Sequence, residues 1–147
     1  MIRSFSPEDT PRVMEIWLEA SRLAHGFIPM EYWLNTAPVV EDEILPRAQT
    51  RVFVREGQVL GFLSLIEKSH IGALFVDPDC QGQGIGRALV EDCKKDRDLL
   101  TLSVYQKNTG AIAFYRSQGF LPLGEDTDPA TGEGELLMCW RSSPRQK

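Results

Sequence analysis

A glycine-rich segment in the middle of the chain constrains the fold more than any other feature. A β-rich apolar run ends at Val76-Asp77-Pro78, Gly82, Gly84 and Gly86 follow at alternate positions, and an amphipathic pattern starts at Ile85. The first backbone N–H groups of a helix have no internal partner and lie at the positive end of its dipole. This order of strand, glycine loop and helix therefore predicts an anion site of the kind that holds a phosphate or pyrophosphate.

Two well-known phosphate loops do not fit this segment. A Walker loop ends in Gly-Lys-Ser/Thr, whereas Gly86 is followed by Arg87-Ala88. The dinucleotide fingerprint is G-x-G-x-x-G after the first strand, whereas this loop reads G-x-G-x-G and follows several predicted strands. A nucleotide triphosphatase and a Rossmann domain are thus disfavoured, and glycines used only for a tight turn are the remaining alternative.

The spacing of apolar residues predicts a mixed α/β chain. Apolar runs and alternation predict strands over 2–5, 52–54, 59–66, 71–76, 100–104, 120–123 and 136–140. Helical spacing predicts helices over 6–24, 30–45, 84–99 and 108–118, the second of them bent near Pro38. With 147 residues, we expect a single α/β domain over residues 1–147, with a mixed, mostly antiparallel sheet of about six or seven strands and about four helices.

Composition narrows the possible functions. The chain has 16 Lys+Arg against 21 Asp+Glu, which disfavours nucleic-acid binding through clustered cations. Cys80, Cys93 and Cys139 form no C-x-x-C pair, so we expect reduced thiols, and two distant histidines predict no metal site. The chain has no apolar stretch near the roughly 20 residues that span a bilayer and no signal-peptide pattern in its first 25 residues. We therefore expect a cytoplasmic protein without a membrane partner.

Two motifs resemble the GNAT family of N-acetyltransferases. Gln81-Gly82-Gln83-Gly84-Ile85-Gly86 is similar to the family's acetyl-CoA motif Q/R-x-x-G-x-G/A. The segment from Asn108 to Phe120 is similar to its second signature, N-x-x-A-x-x-F-Y-x-x-x-G-F. The resemblance covers nearly the whole chain, and within the family it looks most like a small stand-alone bacterial protein-lysine acetyltransferase.

The resemblance implies that acetyl-CoA binds as a cosubstrate. Backbone amides from Gln81 to Arg87 would hold its pyrophosphate, and the strand backbone ending at Val76 would pair with its pantetheine arm and polarise the thioester carbonyl. Asn108 would hydrogen bond to the pantetheine, and Phe114 would pack against it. The expected cofactor-binding residues are Leu74, Phe75, Val76, Gln81, Gly82, Gln83, Gly84, Ile85, Gly86, Arg87, Asn108 and Phe114.

The resemblance also implies that Tyr115 reaches the sulfur. A tyrosine hydroxyl has a pKa of about 10 and a thiol one of about 8.5, so partial proton donation to the departing thiolate is feasible and Tyr115 is the candidate general acid. Candidates for the base that deprotonates the acceptor are Glu67, His70 and His25, with a water chain to solvent as the alternative. His70 precedes the strand that would present the thioester, and its near-neutral reference pKa suits the task.

We predict direct acetyl transfer to a primary amine, with a protein lysine as the expected acceptor. His25, Phe27, Tyr32 and Trp33, around the break between the first two helices, are the expected acceptor-binding residues. The other readings are acetylation of a small-molecule amine such as an antibiotic or polyamine, a non-catalytic acetyl-CoA-binding module, and an RNA-directed acetyltransferase toxin, which should be basic. Both a monomer and a homodimer are compatible with the sequence.

The acidic excess of the chain is concentrated in one segment. Five acidic residues and no Lys or Arg lie between 125 and 135, and the net charge of the whole chain is −5. In the resembled fold, this loop joins the last two strands near the acceptor. We therefore expect it to attract a cationic amine.

Overall fold

Seven strands form one sheet in the computed structural model, which describes residues 1–142. The strands are β1 (Ile2–Ser4), β2 (Gln49–Arg55), β3 (Gln58–Ile66), β4 (His70–Val76), β5 (Leu99–Tyr105), β6 (Leu121–Thr127) and β7 (Gly134–Arg141). Their order across the sheet is β1-β2-β3-β4-β5-β7-β6. Every neighbouring pair is antiparallel except β4 and β5. The predicted mixed, mostly antiparallel sheet is confirmed.

Helices cover both faces of this sheet. Within residues 1–142 the α-helices are α1 (Thr10–Ala24), α2 (Met30–Val39), α3 (Ile85–Lys94) and α4 (Thr109–Ser117). A π-helical turn, Val40–Ile44, extends α2 beyond the bend expected near Pro38. No helix among these residues has the length and apolar character needed to cross a bilayer.

Two hydrophobic clusters fill the spaces between the sheet and the helices. Phe62, Trp17 and Trp33 belong to the cluster beneath α1 and α2. Leu89 and Phe120 belong to the cluster on the opposite face, beneath α3 and α4. The sheet is therefore the middle layer of a three-layer α/β domain, and its edges and strand ends are the places left for a site.

The predicted end of α3 was wrong. The helix stops at Lys94 instead of continuing to Leu99, where β5 begins. The residues from Lys94 to Asp98 are all charged, so this segment has no apolar side chain to bury against the sheet. Arg97 Nη1 instead donates to the Cys93 carbonyl at 3.1 Å and satisfies one of the terminal helix carbonyls.

The acidic segment between 125 and 135 was also misassigned as a loop. β6 runs to Thr127 and β7 starts at Gly134, with Asp126 opposite Glu135, so only residues 128–133 turn. β6 is an edge strand exposed along its whole length. Because neither face of this strand is buried, it accommodates acidic side chains that an interior strand would exclude.

The glycine at position 61 sets the distance between β3 and α3. A β-carbon on Gly61 would lie 3.0 Å from Ile85 Cγ2 and 3.1 Å from the Phe75 carbonyl oxygen. Ile85 is the first residue of α3. The close approach therefore fixes where the glycine-rich loop meets the sheet.

We expect Gly61→Ala to lower the free energy of unfolding by about 1–3 kcal/mol, because an extra methyl group in a packed core forces its neighbours to move. Chemical denaturation measures this change. Gly124→Ala is the matched control, since a β-carbon there would meet nothing within 4 Å, and its stability should stay close to that of the parent chain. Equal stability of the two variants would contradict the tight contact.

Candidate active site

The parallel strands β4 and β5 separate soon after they begin. Each has seven residues, yet they pair only at His70 and Ile71 of β4. Gly72 is an extra residue in β4 relative to β3, so the strand carries a bulge at the point where the pairing stops. Because a bulge bends its strand and increases the local twist, it directs the rest of β4 away from β5.

The separation leaves backbone groups at the end of β4 without a strand partner. The Asp77 N–H donates to the Leu60 carbonyl at 2.8 Å, on the β3 side. Successive N–H groups along a strand point to opposite sides. The N–H groups of Val76 and Leu74 therefore point away from β3, into the space between β4 and β5.

A cavity of about 580 Å³ occupies this space. Its walls come from the end of α1, the end of β4, the glycine loop, the first turn of α3, and α4. The lining residues are Ala20, Ala24, His25, Leu74, Phe75, Val76, Cys80, Gln81, Gly82, Gly84, Ile85, Gly86, Arg87, Asn108, Gly110, Ala111, Phe114, Tyr115 and Gln118. The structure thus brings together Tyr115, His25 and every expected cofactor-binding residue except Gln83.

The glycine loop presents its backbone to this cavity. Gly82 and Gly84 have φ values of 80° and 82°, in the left-handed region that disfavours side chains. A β-carbon on either would meet nothing within 4 Å, so the loop backbone is open to a ligand. Arg87 lines the cavity, and the segment from 80 to 90 contains no acidic residue. The loop and the positive end of α3 therefore suit a pyrophosphate group.

An ion pair anchors the start of the loop to α1. The Arg12 guanidinium pairs with Asp77, and its Nε donates to the Val59 carbonyl at 2.8 Å. Asp77 Oδ1 also accepts from the Asp79 N–H at 2.9 Å. The backbone N–H of Asp79 and the Arg12 guanidinium together lower the pKa of Asp77. The carboxylate of Asp77, the first residue after β4, thus connects the end of that strand to α1.

Asn108 joins α4 to the end of α1. Its Oδ1 accepts from the Ala111 N–H at 3.2 Å and caps the helix, so its Nδ2 faces His25 Nε2 at 3.1 Å. An amide nitrogen only donates, so His25 Nε2 accepts and the neutral ring carries its proton on Nδ1. Burial lowers the pKa of His25 and favours this neutral form.

Tyr115, on α4, lines the first cavity. Its ring packs edge-on against Phe114 and Phe120, with centroid separations of 5.4 and 5.7 Å. Burial raises the pKa of the Tyr115 hydroxyl. The hydroxyl therefore keeps its proton at neutral pH and can donate it inside the cavity.

A second cavity of about 370 Å³ lies between the loop after α1 and the turn between β6 and β7. Phe27 and Tyr32 are among the residues that line it. The turn is held by the Tyr105 hydroxyl, which donates to Asp128 at 2.7 Å. The Phe27 ring lies 5.8 Å from that of His25, so a layer of rings separates the two cavities.

Four of the expected site residues, Glu67, His70, Trp33 and Gln83, line neither of these two cavities. Glu67 and His70 lie at the opposite end of β4 from Val76, about 20 Å away at the usual rise of a strand, and His70 Nδ1 contacts Thr101 Oγ1 at 2.9 Å. In the sequence both residues are at or close to the start of β4, but the first cavity is lined by the other end of that strand, at residues 74–76.

The other two residues contact protein groups instead. Trp33 is buried at 6% exposure, where its ring packs against those of Trp17 and His25. The Gln83 side chain points to Arg55, whose Nη1 donates to its Oε1 at 2.7 Å. Among residues 1–142 no group of three or more His, Cys, Asp or Glu side chains could hold a metal ion.

Sequence reasoning also missed several residues of the site. Ala20 and Ala24 were assigned to the core from their helical spacing, yet both line the first cavity. Their small size was the available signal, since larger side chains at these positions would fill the space. Arg12 carried no such signal, because its partner Asp77 is 65 residues away in the sequence.

Comparison with known proteins gives matches over most of the chain. Residues 27–130 match the family model of the acetyltransferase (GNAT) domain. Peptidyl-lysine N-acetyltransferase YiaC of Escherichia coli K12 is 41% identical over 120 residues, which cover 82% of each chain. Peptidyl-lysine N-acetyltransferase YjaB of the same strain is 36% identical over 84% of this chain and 83% of its own.

Solved structures match the fold. The solution structure of apo-form YjaB from Escherichia coli has a TM-score of 0.84 and 32% identity, covering 95% of this chain and 96% of its own. The crystal structure of an aminoglycoside 6'-N-acetyltransferase complexed with coenzyme A has a TM-score of 0.72 and 17% identity, covering 100% and 99% of the two chains. At that identity, the second match shows a shared fold alone.

We expect Asp77→Asn to lower the melting temperature at pH 7 by more than it does at pH 3. The folded-state pKa of Asp77 is depressed, so its stabilising contribution is present above the unfolded pKa of about 3.9 and is lost as the pH falls further. Thermal unfolding across this range measures the difference. Glu19→Gln, which removes the exposed pair with Arg22, is the control and should change little. An effect of Asp77→Asn that is independent of pH would contradict the ion pair.

Proposed function

The chain belongs to the GNAT family of acetyltransferases and is an N-acetyltransferase, and from this premise we propose that it acetylates protein lysine side chains with acetyl-CoA. The resemblance given by the two motifs is thereby confirmed at the level of the family. One observation carries the proposal: the free backbone of β4, the glycine loop and Tyr115 line a single cavity. YiaC and YjaB, both named as peptidyl-lysine N-acetyltransferases, support lysine as the acceptor.

The first cavity suits acetyl-CoA along its length. The open backbone of the glycine loop and Arg87 would hold the pyrophosphate at the start of α3. The unpaired backbone of Leu74 and Val76 would hydrogen bond to the pantetheine arm, as a strand partner would. Asn108 uses one amide hydrogen for His25 and has the other available for the same arm. The coenzyme A complex of the aminoglycoside 6'-N-acetyltransferase supports such a site in this fold.

Bound acetyl-CoA supplies a thioester, whose C–S bond breaks as the amine nitrogen forms a bond to the acetyl carbon. The Val76 N–H is the donor proposed to stabilise the negative charge that develops on the carbonyl oxygen; fixed donors of this kind contribute about 10²–10³-fold to the rate. Tyr115 gives its proton to the leaving sulfur, so coenzyme A departs as a thiol. The tyrosine then regains a proton from water, and the acetylated nitrogen loses its own.

The acceptor ammonium has a pKa of about 10.4 and must lose a proton before it attacks. Of the three candidate bases, only His25 lines the first cavity. Its Nε2 lone pair already accepts from Asn108, so His25 suits the positioning of that amide better than proton transfer. We assign the ammonium proton to water in the cavity, in place of His70 or Glu67.

The negative charge of the β6–β7 hairpin favours a cationic acceptor. The five acidic residues between 125 and 135 account for the net charge of −5. They lie on the β6–β7 hairpin, whose turn borders the second cavity. A hairpin with this charge attracts cations such as lysine and repels anionic amines.

Release of coenzyme A thiol in the presence of acetyl-CoA and an acceptor panel tests the proposal. We expect turnover with lysine-containing peptides and acetyl-lysine in the product by mass spectrometry. Turnover confined to aminoglycosides or polyamines would overturn the lysine assignment. Binding of acetyl-CoA without turnover of any amine would show a binding module instead.

We expect Tyr115→Phe to lower kcat by about 10²-fold, the lower end of the usual contribution of a general acid, with little change in the KM for acetyl-CoA. Steady-state kinetics with a lysine peptide measures both constants. His70→Gln is the control, since His70 lies outside the cavity, and it should retain kcat. Full activity of Tyr115→Phe would remove the tyrosine from the mechanism, and a large loss in His70→Gln would restore the histidine as a candidate.

A further inference from the structure

We propose that the second cavity binds a second basic side chain of the acceptor protein, close in sequence to the lysine that is acetylated. This inference rests on the proposed function and adds a substrate preference to it. It concerns a separate site, because the second cavity shares no lining residue with the first.

A layer of aromatic rings divides the two cavities. His25 is 9% exposed and lines the first cavity, and its ring contacts those of Phe27 and Tyr105 at 5.8 and 5.1 Å. Phe27 lines the second cavity. An amine in the second cavity therefore has these rings between itself and Val76, where the thioester is expected. The second cavity suits a different part of the same acceptor.

The walls of the second cavity suit a cation on an alkyl chain. Phe27 and Tyr32 provide aromatic surface, and Glu31 and Glu133 provide carboxylates. Its lining residues, which all lie in the part of the chain that the structure describes, include no Lys, Arg or His. Aromatic faces attract cations within about 6 Å, and carboxylates form strong hydrogen bonds with ammonium and guanidinium groups. Lysine and arginine side chains combine these two requirements.

Lys107 of the chain itself contacts both a carboxylate and an aromatic ring at the rim of the second cavity. Lys107 Nζ lies 3.0 Å from Glu133 Oε1 and 5.4 Å from the centre of the Phe27 ring. The side chain of Lys107 is 61% exposed, whereas that of Glu133 is 21% exposed. Exposed ion pairs contribute little to stability. A basic side chain of the acceptor can therefore take the place of Lys107 at low cost.

The turn that carries Glu133 is held in position before any acceptor binds. The Asp128 N–H donates to the Glu133 carbonyl at 2.8 Å, and the Asp128 side chain accepts from the Ala130 N–H at 2.9 Å and from the Tyr105 hydroxyl at 2.7 Å. Hydrogen bonds thus hold the turn internally and also join it to Tyr105 at the end of β5. A site ordered in advance loses less conformational entropy when it binds.

A peptide series tests the proposal directly. Each peptide carries one lysine and one arginine, with the arginine moved along the flanking positions, and a partner peptide has citrulline, its neutral isostere, in place of the arginine. At one or more positions we expect the KM for the arginine peptide to be lower by about fivefold, the upper range for a partly exposed ion pair, with kcat unchanged.

Two variants of the rim should act in opposite directions. We expect Glu133→Gln to remove the difference between arginine and citrulline, and Lys107→Met to lower the KM for the arginine peptide further. A purely structural ion pair would give both variants the same effect on KM and on thermal stability. Glu91→Gln, on the exposed face of α3, is the matched control for the loss of one negative charge.

The outcomes separate this inference from the proposed function. Equal KM values for every arginine and citrulline pair, or a raised KM in Lys107→Met, would overturn the second site while lysine acetylation stands. Failure to acetylate any of the peptides would overturn the proposed function itself.

Discussion

Only two residues of β4 pair with β5, and the remainder of β4 leaves its neighbour and borders the first cavity. A buried strand edge whose N–H groups have no partner costs free energy, so the end of β4 requires a cavity open to water or to a ligand. The bulge at Gly72 starts the separation. At the other end of β4, the ion pair between Arg12 and Asp77 anchors the residue that follows the strand. The close approach at Gly61 then sets α3, and with it the glycine loop, against that same strand end.

Charge is divided between the two sides of this opening. The net charge of −5 is at first sight a poor match for an anionic cosubstrate. The glycine loop nevertheless has Arg87, a helix N-terminus and no acidic residue, whereas the acidic excess lies on the β6–β7 hairpin. The proposed reaction needs the anionic acetyl-CoA at the glycine loop and a cationic acceptor near the hairpin. The distribution of charge along the chain fits this requirement, although the net charge alone does not.

Local patterns in the sequence predicted most of the fold, and contacts between distant residues account for what they missed. Apolar periodicity found the strands and helices, and the two motifs found the lining of the first cavity. Its place just before the predicted strand made His70 a candidate base, but β4 is extended, so His70 lies at the opposite end of the strand from Val76 and the first cavity. The His25–Asn108 hydrogen bond and the Lys107–Glu133 pair join elements that meet only after folding, and no local pattern encodes them.

Amide hydrogen–deuterium exchange with and without saturating acetyl-CoA tests whether the cosubstrate binds along the end of β4 and the glycine loop, because it reports on individual segments of backbone. We predict slower exchange in two segments when acetyl-CoA is bound: residues 74–76 at the end of β4, and residues 82–87 in the glycine loop and the first turn of α3. The turn between β6 and β7, which borders the acceptor side, should exchange as before. Protection confined to that turn, or no protection at the end of β4 despite saturation, would contradict binding of acetyl-CoA in the first cavity.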